Sequence, residues 1–328
     1  MFLQMIASQE YWRDQEPYMI RTIQDIWDSR QPSTIQKYCF SLRNFFAFSQ
    51  MTGKEITFPV QVPMAARYLA FLRDGGVSKS TIKVALVSLK WVNAFFPDKD
   101  NLESPFLGRM VESAQRNIPA KRMQKLPFTK DMIRRMMKTG DNPSLEDLRN
   151  ALIPGLSFSL LLRNDELIHL TCKNMSVTSR GFTFKIASSK TDTYRKGKTL
   201  FLARQEGGDS VYGLILRYMA KARLNVGEDK FLFGKIVKST QYDYVDGSKN
   251  ISYTKCLEVV KAKVQSLGLN PDLYATHSSR SGAATCLADR VTPFELLVSG
   301  RWADGRSLNH YVEISEDRRY EISEDLFL

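Results

Sequence analysis

Two short stretches near the C-terminal end contain residue types that can act on a phosphodiester. His277 precedes Arg280 by three residues in T-H-S-S-R, and Trp302 of S-G-R-W lies nine residues before Tyr311. The chain has three histidines, and two of them lie within residues 276–311. A guanidinium can donate hydrogen bonds to two phosphate oxygens at once, and an indole N–H can donate a hydrogen bond but not accept one. A tyrosine hydroxyl can attack phosphorus to form a covalent intermediate. This combination favours phosphoryl transfer.

Three candidates lie earlier in the chain. Arg163 ends the apolar run in L-L-L-R-N-D-E-L, Glu166 follows it by three residues, and Lys190 lies in S-S-K-T-D between two predicted strands. A second guanidinium would stabilise charge in the transition state, and a lysine can protonate a departing 5′-hydroxyl. His277 can move the nucleophile's proton or hydrogen-bond the phosphate. Each residue also has a plain structural interpretation, such as a cation at a helix end, a turn lysine, a capping residue, a surface carboxylate or a core aromatic.

The sequence predicts no metal and no other cofactor. It contains no cluster of Asp or Glu with His or Cys at metal-ligand spacing, and no phosphate-binding loop of the G-x-x-x-x-G-K-[ST] type. Its four cysteines are far apart and form no C-x-x-C, which predicts buried free thiols: Cys39, Cys172, Cys256 and Cys286.

The charge balance indicates a polyanionic partner. The formal net charge is +12, which a fold does not require, so nucleic acid or an acidic membrane surface is expected to bind. No apolar run approaches the ~20 residues that cross a bilayer, and the first ten residues lack the layout of a signal peptide. The chain is therefore predicted to stay inside the cell, in a eukaryotic nucleus or in bacterial cytoplasm or nucleoid. Of the two polyanions, nucleic acid and not a membrane is the predicted partner.

The elements that must position these residues form two domains. Residues 1–117 show helical periodicity without a strand pattern, residues 118–127 are basic and proline-bracketed like a linker, and residues 128–312 mix helices with short strands. Strands are predicted at 175–178, 182–187 and 198–202, with a polar loop at 234–250 and short helices over 276–311. Pro154-Gly155 is expected to kink or interrupt the apolar helix before Arg163. The predicted fold class is mainly α with a small antiparallel β-sheet in the C-terminal domain.

In this order, the motifs resemble those of the tyrosine recombinases, the phage-integrase family. The family pattern is Arg, Lys, His-x-x-Arg, His or Trp, and Tyr, and it matches Arg163, Lys190, His277, Arg280, Trp302 and Tyr311. Glu166 stands at the family's acidic position. Tryptophan with a tyrosine nine residues later is similar to the Cre type, and S-K-T-D-x-x-R-K-G with G-R-W resembles recombinases of Crypton-like and DIRS-like mobile elements.

The resemblance implies a site-specific recombinase or integrase that cleaves and rejoins DNA through a 3′-phosphotyrosine. It implies a two-domain C-clamp around double-stranded DNA, with a SAM-like core-binding domain at 1–117 and a catalytic domain at 128–312. Four protomers would assemble on two DNA segments, and they would be monomeric or weakly associated without DNA. Basic residues expected to contact DNA are Lys37, Arg43, Lys79, Lys83, Lys121, Arg122 and Lys125.

Some features depart from the family pattern or leave alternatives open. Leu161 stands where a glycine usually precedes the first arginine, and Ser279 replaces an apolar residue in H-x-L-R. The tail 313–328 has two interpretations, a segment exchanged between protomers and a frayed, solvated end. A type IB topoisomerase-like enzyme and a domesticated DNA-binding protein that no longer cleaves are the alternative functions.

Overall fold

The computed structural model describes residues 19–96, 102–119, 125–186, 197–208, 210–302, 304–309 and 311–312. The chain divides into two units, Met1–Met123 and Gln124–Leu328, and each has a hydrophobic core of its own. The described residues are mostly helical, with small antiparallel sheets in the second unit only. The predicted fold class, mainly α with a small antiparallel sheet toward the C-terminus, is confirmed.

The first unit contains five helices among its described residues: α1 (Met19–Asp28), α2 (Pro32–Thr52), α3 (Val62–Asp74), α4 (Lys79–Asn93) and α5 (Pro105–Asn117). Their buried faces meet in a core rich in aromatic rings, in which Phe45 contacts Tyr68 at 5.0 Å between ring centroids. The side chain of Ser78 caps α4 by accepting a hydrogen bond from Thr81 N.

Ser33 and Thr34 are residue types typical of an N-cap, but neither caps α2. Pro32 is the first helical residue and Gln31 is the N-cap. Proline suits this position because its fixed φ is helical and because the first turn of a helix leaves backbone N–H groups unpaired in any case. The helix ends at Gly53, whose φ of 63° is left-handed.

The second unit is built around one buried helix. Its helices are α6 (Lys130–Met137), α7 (Leu145–Ser159), α8 (Asn164–Ile168), α9 (Val211–Ala222), α10 (Tyr253–Ser266), α11 (Ser278–Ala288), α12 (Pro293–Gly300) and α13 (Gly305–Asn309). Helix α7 packs against α6, α9, α10 and α11, and every residue from Ala151 to Ser157 is buried. Ser144 and Asp147 form a capping box at its start.

Helix α7 continues through Pro154 and Gly155, so of the predicted kink or interruption the interruption is not seen. Proline removes one backbone hydrogen bond, but burial of the residues around it keeps the helix continuous. Gly155 lets α6 approach closely, because a Cβ at this residue would lie 2.4 Å from Met137 Sδ.

The three predicted strands are present as β1 (Met175–Thr178), β2 (Gly181–Ile186) and β3 (Lys198–Ala203), in the antiparallel order β1-β2-β3. The prediction of a loop at 234–250 is wrong. This segment forms β4 (Gly234–Val237) and β5 (Tyr244–Asn250), an antiparallel pair. Its sequence lacks apolar alternation because Val245 is the one buried large side chain of the two strands, with Ile236 partly buried against the core. Backbone bonds such as Ile251 N to Phe233 O (2.8 Å) attach the pair.

The described helices include none that combines the length and the apolar character needed to cross a membrane. All four cysteines are free; Cys172 and Cys256 are buried, whereas Cys39 and Cys286 are half-buried.

Candidate active site

Arg163 lies at the start of a helix, four residues beyond the end of α7. It is the N-cap residue of α8, and its backbone N donates to Glu166 Oε2 at 2.9 Å while its Nη1 donates to Oε1 at 2.8 Å. The Glu166 carboxylate therefore closes the first turn of α8 and holds the Arg163 side chain at once. A carboxylate at this end of a helix is also favoured by the helix dipole.

Leu161 connects α7 to Arg163 in a left-handed conformation, with φ of 46°. A non-glycine residue in this region costs about 1–2 kcal/mol. The Leu161 side chain is buried in a small cluster that also contains Leu296 and Trp302, and this burial offsets the strain. The conformation turns the Leu161 carbonyl toward two arginines, since Arg280 Nη1 and Arg301 Nη2 both donate to it.

Arg280 lies on α11 and is fully buried. Its Nη1 donates to Leu161 O, its Nη2 donates to Gly300 O, and its guanidinium carbon lies 4.3 Å from the ring centre of Trp302. Small residues allow α11 to sit deep in the unit: a Cβ at Gly282 would lie 1.9 Å from Phe128 O. The guanidinium is therefore fixed from both sides by backbone and from one face by an indole.

The rings of Trp302 and Tyr311 lie next to this guanidinium, tilted by 53° to each other. Their ring centroids are 5.3 Å apart, and the Arg280 guanidinium carbon is 5.3 Å from the Tyr311 ring centre. Gly300 permits the tryptophan position, because a Cβ there would lie 1.6 Å from the Trp302 ring. Thr285 Oγ1 donates to Tyr311 O at 3.2 Å, which ties the tyrosine backbone to α11. The Tyr311 side chain stays half-buried.

Arg301 joins this group, although no role is predicted for it from the sequence. Its Nη2 donates to Glu166 Oε2 at 2.5 Å, and the residue is buried. The signal was present in G-R-W, where an arginine follows an apolar helix end directly before Trp302. Its importance depends on a partner 135 positions earlier, which local sequence does not reveal.

One carboxylate faces three guanidiniums in this cluster. Burial raises the pKa of Glu166, but the charge of Arg301 and the hydrogen bonds and charge of Arg163 outweigh it, so this pKa lies below its usual value. Burial, and then the charges of Arg163 and Arg301, lower the pKa of Arg280 to about 9. With three guanidiniums and one carboxylate, the group carries an excess of positive charge that an anion would offset.

The buried site also retains hydrogen-bond donors. A guanidinium has five N–H groups. Among the described residues, Arg280 donates one from Nη1 to Leu161 O and one from Nη2 to Gly300 O. Arg280 Nε and Trp302 Nε1 are buried without an acceptor among the described residues. In that same part of the chain, no group of three or more His, Cys, Asp or Glu residues could hold a metal ion.

The structure thus brings together five of the seven predicted site residues: Arg163, Glu166, Arg280, Trp302 and Tyr311. His277 is the N-cap residue of α11, one helical turn before Arg280, and its side chain is exposed. Lys190 lies outside the described residues.

The residues predicted to contact DNA are distributed over both units. Lys37 and Arg43 are exposed on α2, and Lys79 and Lys83 are exposed on α4. Lys125 is exposed and its Nζ donates to the backbone of Asp272. Leu126 N donates to Leu273 O at 2.8 Å, so this end of the predicted linker is attached to the second unit. Lys121, Arg122 and the tail 313–328 lie outside the described residues.

Comparisons with known proteins match most of the chain. No family model matches it. It is 21% identical over 291 residues to an integrase/recombinase XerD homologue of Selenomonas ruminantium, covering 87% of this chain and 82% of that protein. It is 23% identical over 290 residues to the recombinase Cre of Escherichia phage P1, covering 82% and 80%. Its fold is similar to the Tn1549 transposon integrase, solved in complex with transposon right end DNA, with a TM-score of 0.62 at 16% identity over 94% of this chain and 98% of that one.

Proposed function

Because the chain belongs to the tyrosine recombinase family, we propose that it breaks and rejoins DNA at specific sites through a covalent 3′-phosphotyrosine. The observation that carries this proposal is the cluster of Arg280, Trp302 and Tyr311, in which the ring centre of a half-buried tyrosine lies 5.3 Å from the guanidinium carbon of a fully buried arginine. A phosphodiester that reaches the tyrosine hydroxyl would be next to the positive charge that stabilises its transition state.

In the cleavage step, Tyr311 Oη forms a bond to phosphorus and the bond from phosphorus to the 5′-oxygen breaks. His277 takes the phenol proton, and Lys190 gives a proton to the leaving 5′-oxygen. Arg163 and Arg280 bind the non-bridging oxygens. Rejoining is the reverse reaction with the 5′-hydroxyl of another strand, so no external energy source is needed.

Two other site residues act around these groups. Trp302 offers its indole N–H to the phosphate, and an indole donates but does not accept. Glu166 holds Arg163, with 2.8 Å between Arg163 Nη1 and Glu166 Oε1. The positive charge that a metal ion supplies in other phosphoryl-transfer sites comes here from guanidiniums, so the reaction is proposed to be independent of metal.

The proposed substrate is double-stranded DNA, bound mainly through its phosphates. The first unit, with Lys37, Arg43, Lys79 and Lys83 exposed, is proposed to be the core-binding domain. Four protomers on two DNA segments are proposed, because exchange of two strands needs two cleavages at a time. A recombinase is favoured over a topoisomerase because the relatives are recombinases and integrases.

A pool of nicked duplexes with randomised sequence tests the proposal. Cleavage next to the nick releases a short strand and traps protein covalently on DNA, and sequencing of the trapped DNA gives the target site. We expect an adduct from the parent chain and none from Tyr311→Phe, whereas Tyr274→Phe serves as the matched control and retains it. The adduct should survive chelation of divalent ions.

An adduct of undiminished yield in Tyr311→Phe would reject the assigned nucleophile. An adduct lost on chelation would reject metal independence. Specific DNA binding by a parent chain that forms no adduct with any duplex of the pool would favour the non-cleaving alternative.

A further inference from the structure

Arg301 occupies a backbone position that does not suit arginine. It follows the last residue of α12 with φ of 58° and ψ of 42°, the left-handed conformation that glycine or asparagine usually provides at a helix end. The residue is only 4% exposed, so its charge is buried as well. Two unfavourable features at one residue indicate that the side chain has a specific task.

The hydrogen bonds of Arg301 show which segments it joins. Its Nη2 donates to Glu166 Oε2 at 2.5 Å and to Leu161 O at 3.0 Å, and its Nη1 donates to Leu160 O at 3.3 Å. In return, Arg163 Nη2 donates to the Arg301 carbonyl at 3.2 Å. Arg301 therefore connects the turn between α7 and α8 to the end of α12, directly before Trp302.

The same bonds reach both guanidiniums that are proposed to hold the phosphate. Glu166 is shared, since Arg163 Nη1 lies 2.8 Å from its Oε1 while Arg301 Nη2 contacts its Oε2. The Leu161 carbonyl is shared as well, since Arg280 Nη1 donates to it together with Arg301. A rigid planar fork can span a carboxylate and a carbonyl at once, which the single ammonium of a lysine cannot do in the same geometry.

We propose that Arg301 is a positioning residue for DNA cleavage: it locks Glu166 and the Leu161 carbonyl in place, and these fix Arg163 and Arg280 around the scissile phosphate. This inference rests on the proposed function. Arg301 is buried, and it acts through Glu166 and the Leu161 carbonyl rather than on the substrate.

The test measures cleavage rate and DNA affinity separately in the full-length chain. Single-turnover adduct formation on a saturating nicked duplex, selected from the pool with the parent chain, gives the rate and the final adduct yield. Affinity for the same duplex is measured in the Tyr311→Phe background. Arg301→Gly relieves the backbone strain but removes the planar guanidinium. Because a misplacement of ~1 Å can cost ~10²-fold in rate, this variant should cleave about 10²-fold more slowly than the parent. Its affinity for the duplex should stay within about threefold of the parent affinity.

Arg301→Lys keeps the charge and most of the volume, so it covers the case in which Arg301→Gly does not fold. We expect it to cleave at least ~10-fold more slowly, because lysine does not replace a bidentate arginine. Arg149→Lys is the matched control, since Arg149 is equally buried at 4% and pairs with Glu146 at 2.9 Å on α7. It should cleave at the parent rate.

A slower rate with retained yield and affinity supports the positioning role. A cleavage rate in Arg301→Lys equal to that of the parent would overturn this role. So would a final adduct yield that falls with the folded fraction while the cleavage rate is unchanged, because that result indicates a purely structural role. If the parent chain forms no Tyr311-dependent adduct, the proposed function fails together with this inference. A parent adduct with unaffected variants rejects the inference alone.

Discussion

The left-handed conformation of Leu161 predicts an unusual order of stability between two substitutions. Leu161→Ala and Leu161→Gly both remove the buried side chain, a loss that typically costs ~2–5 kcal/mol. They differ in backbone freedom. Alanine keeps the strain of the left-handed region, about 1–2 kcal/mol, whereas glycine avoids it but gives up about 0.4–1 kcal/mol through the greater entropy of its unfolded chain. Leu161→Gly should therefore be the more stable of the two by roughly 0.5–1 kcal/mol.

Leu296 provides the matched control. It lies in the same cluster as Leu161 and Trp302 and is 2% exposed, but it occupies the interior of α12 with ordinary helical geometry. Glycine in a helix is less favourable than alanine by ~1 kcal/mol, so Leu296→Gly should be less stable than Leu296→Ala. The two sites should show opposite orders, and the difference between them should amount to about 1.5–2 kcal/mol.

Urea unfolding of the full chain can measure this difference. Trp302 is the one tryptophan of Gln124–Leu328, so replacement of Trp12, Trp27 and Trp91 by phenylalanine makes fluorescence report on the second unit. Variants are compared by the free energy of unfolding from linear extrapolation. If Leu161→Ala equals or exceeds Leu161→Gly in stability, the backbone at this residue is not strained and the reasoning is refuted.

Three further outcomes follow from the site and the surface. Gly300→Ala should displace the Trp302 ring, because the added Cβ would lie 1.6 Å from it; overpacking costs ~1–3 kcal/mol, and a parent-like melting temperature and adduct rate would contradict this. Glu166→Gln should lower stability at pH 7 by ~3–5 kcal/mol, because it leaves buried guanidiniums without their counter-charge. Burial raises the pKa of Glu166 but the guanidinium charges outweigh it and lower this pKa, so its contribution is complete above the unfolded value of ~4.3 and is lost as pH falls through the folded value. The stability difference between the parent and Glu166→Gln should therefore shrink below pH ~4, and a constant difference from pH 7 to pH 3 would argue against the assignment. Lys79→Ala and Lys83→Ala should each reduce the slope of log binding constant against log salt concentration by ~0.9, and an unchanged slope would remove that lysine from the DNA surface.

Several elements of the fold could be predicted from sequence because their signals are local. The capping box of Ser144 and Asp147 and the cap at Ser78 each act within one helical turn, and the structure contains both. The hairpin from β1 to β2 was predicted because its turn and apolar alternation lie within about a dozen residues. The pair β4-β5 was missed because polar strands attached by backbone hydrogen bonds leave no periodic pattern to detect.

The order of motifs by itself carried the resemblance to the tyrosine recombinases and predicted the chemical class, since arginine, histidine, tryptophan and tyrosine at these spacings favour phosphoryl transfer. Only the tertiary structure decided how these residues are held. The bonds from Arg280 and Arg301 to the Leu161 carbonyl span 119 and 140 positions. Side-chain geometry over such separations depends on how α7, α11 and α12 pack, and no local propensity carries that information. For this reason Arg301 looked like a neighbour of Trp302 in the sequence and became a central part of the site only in the folded chain.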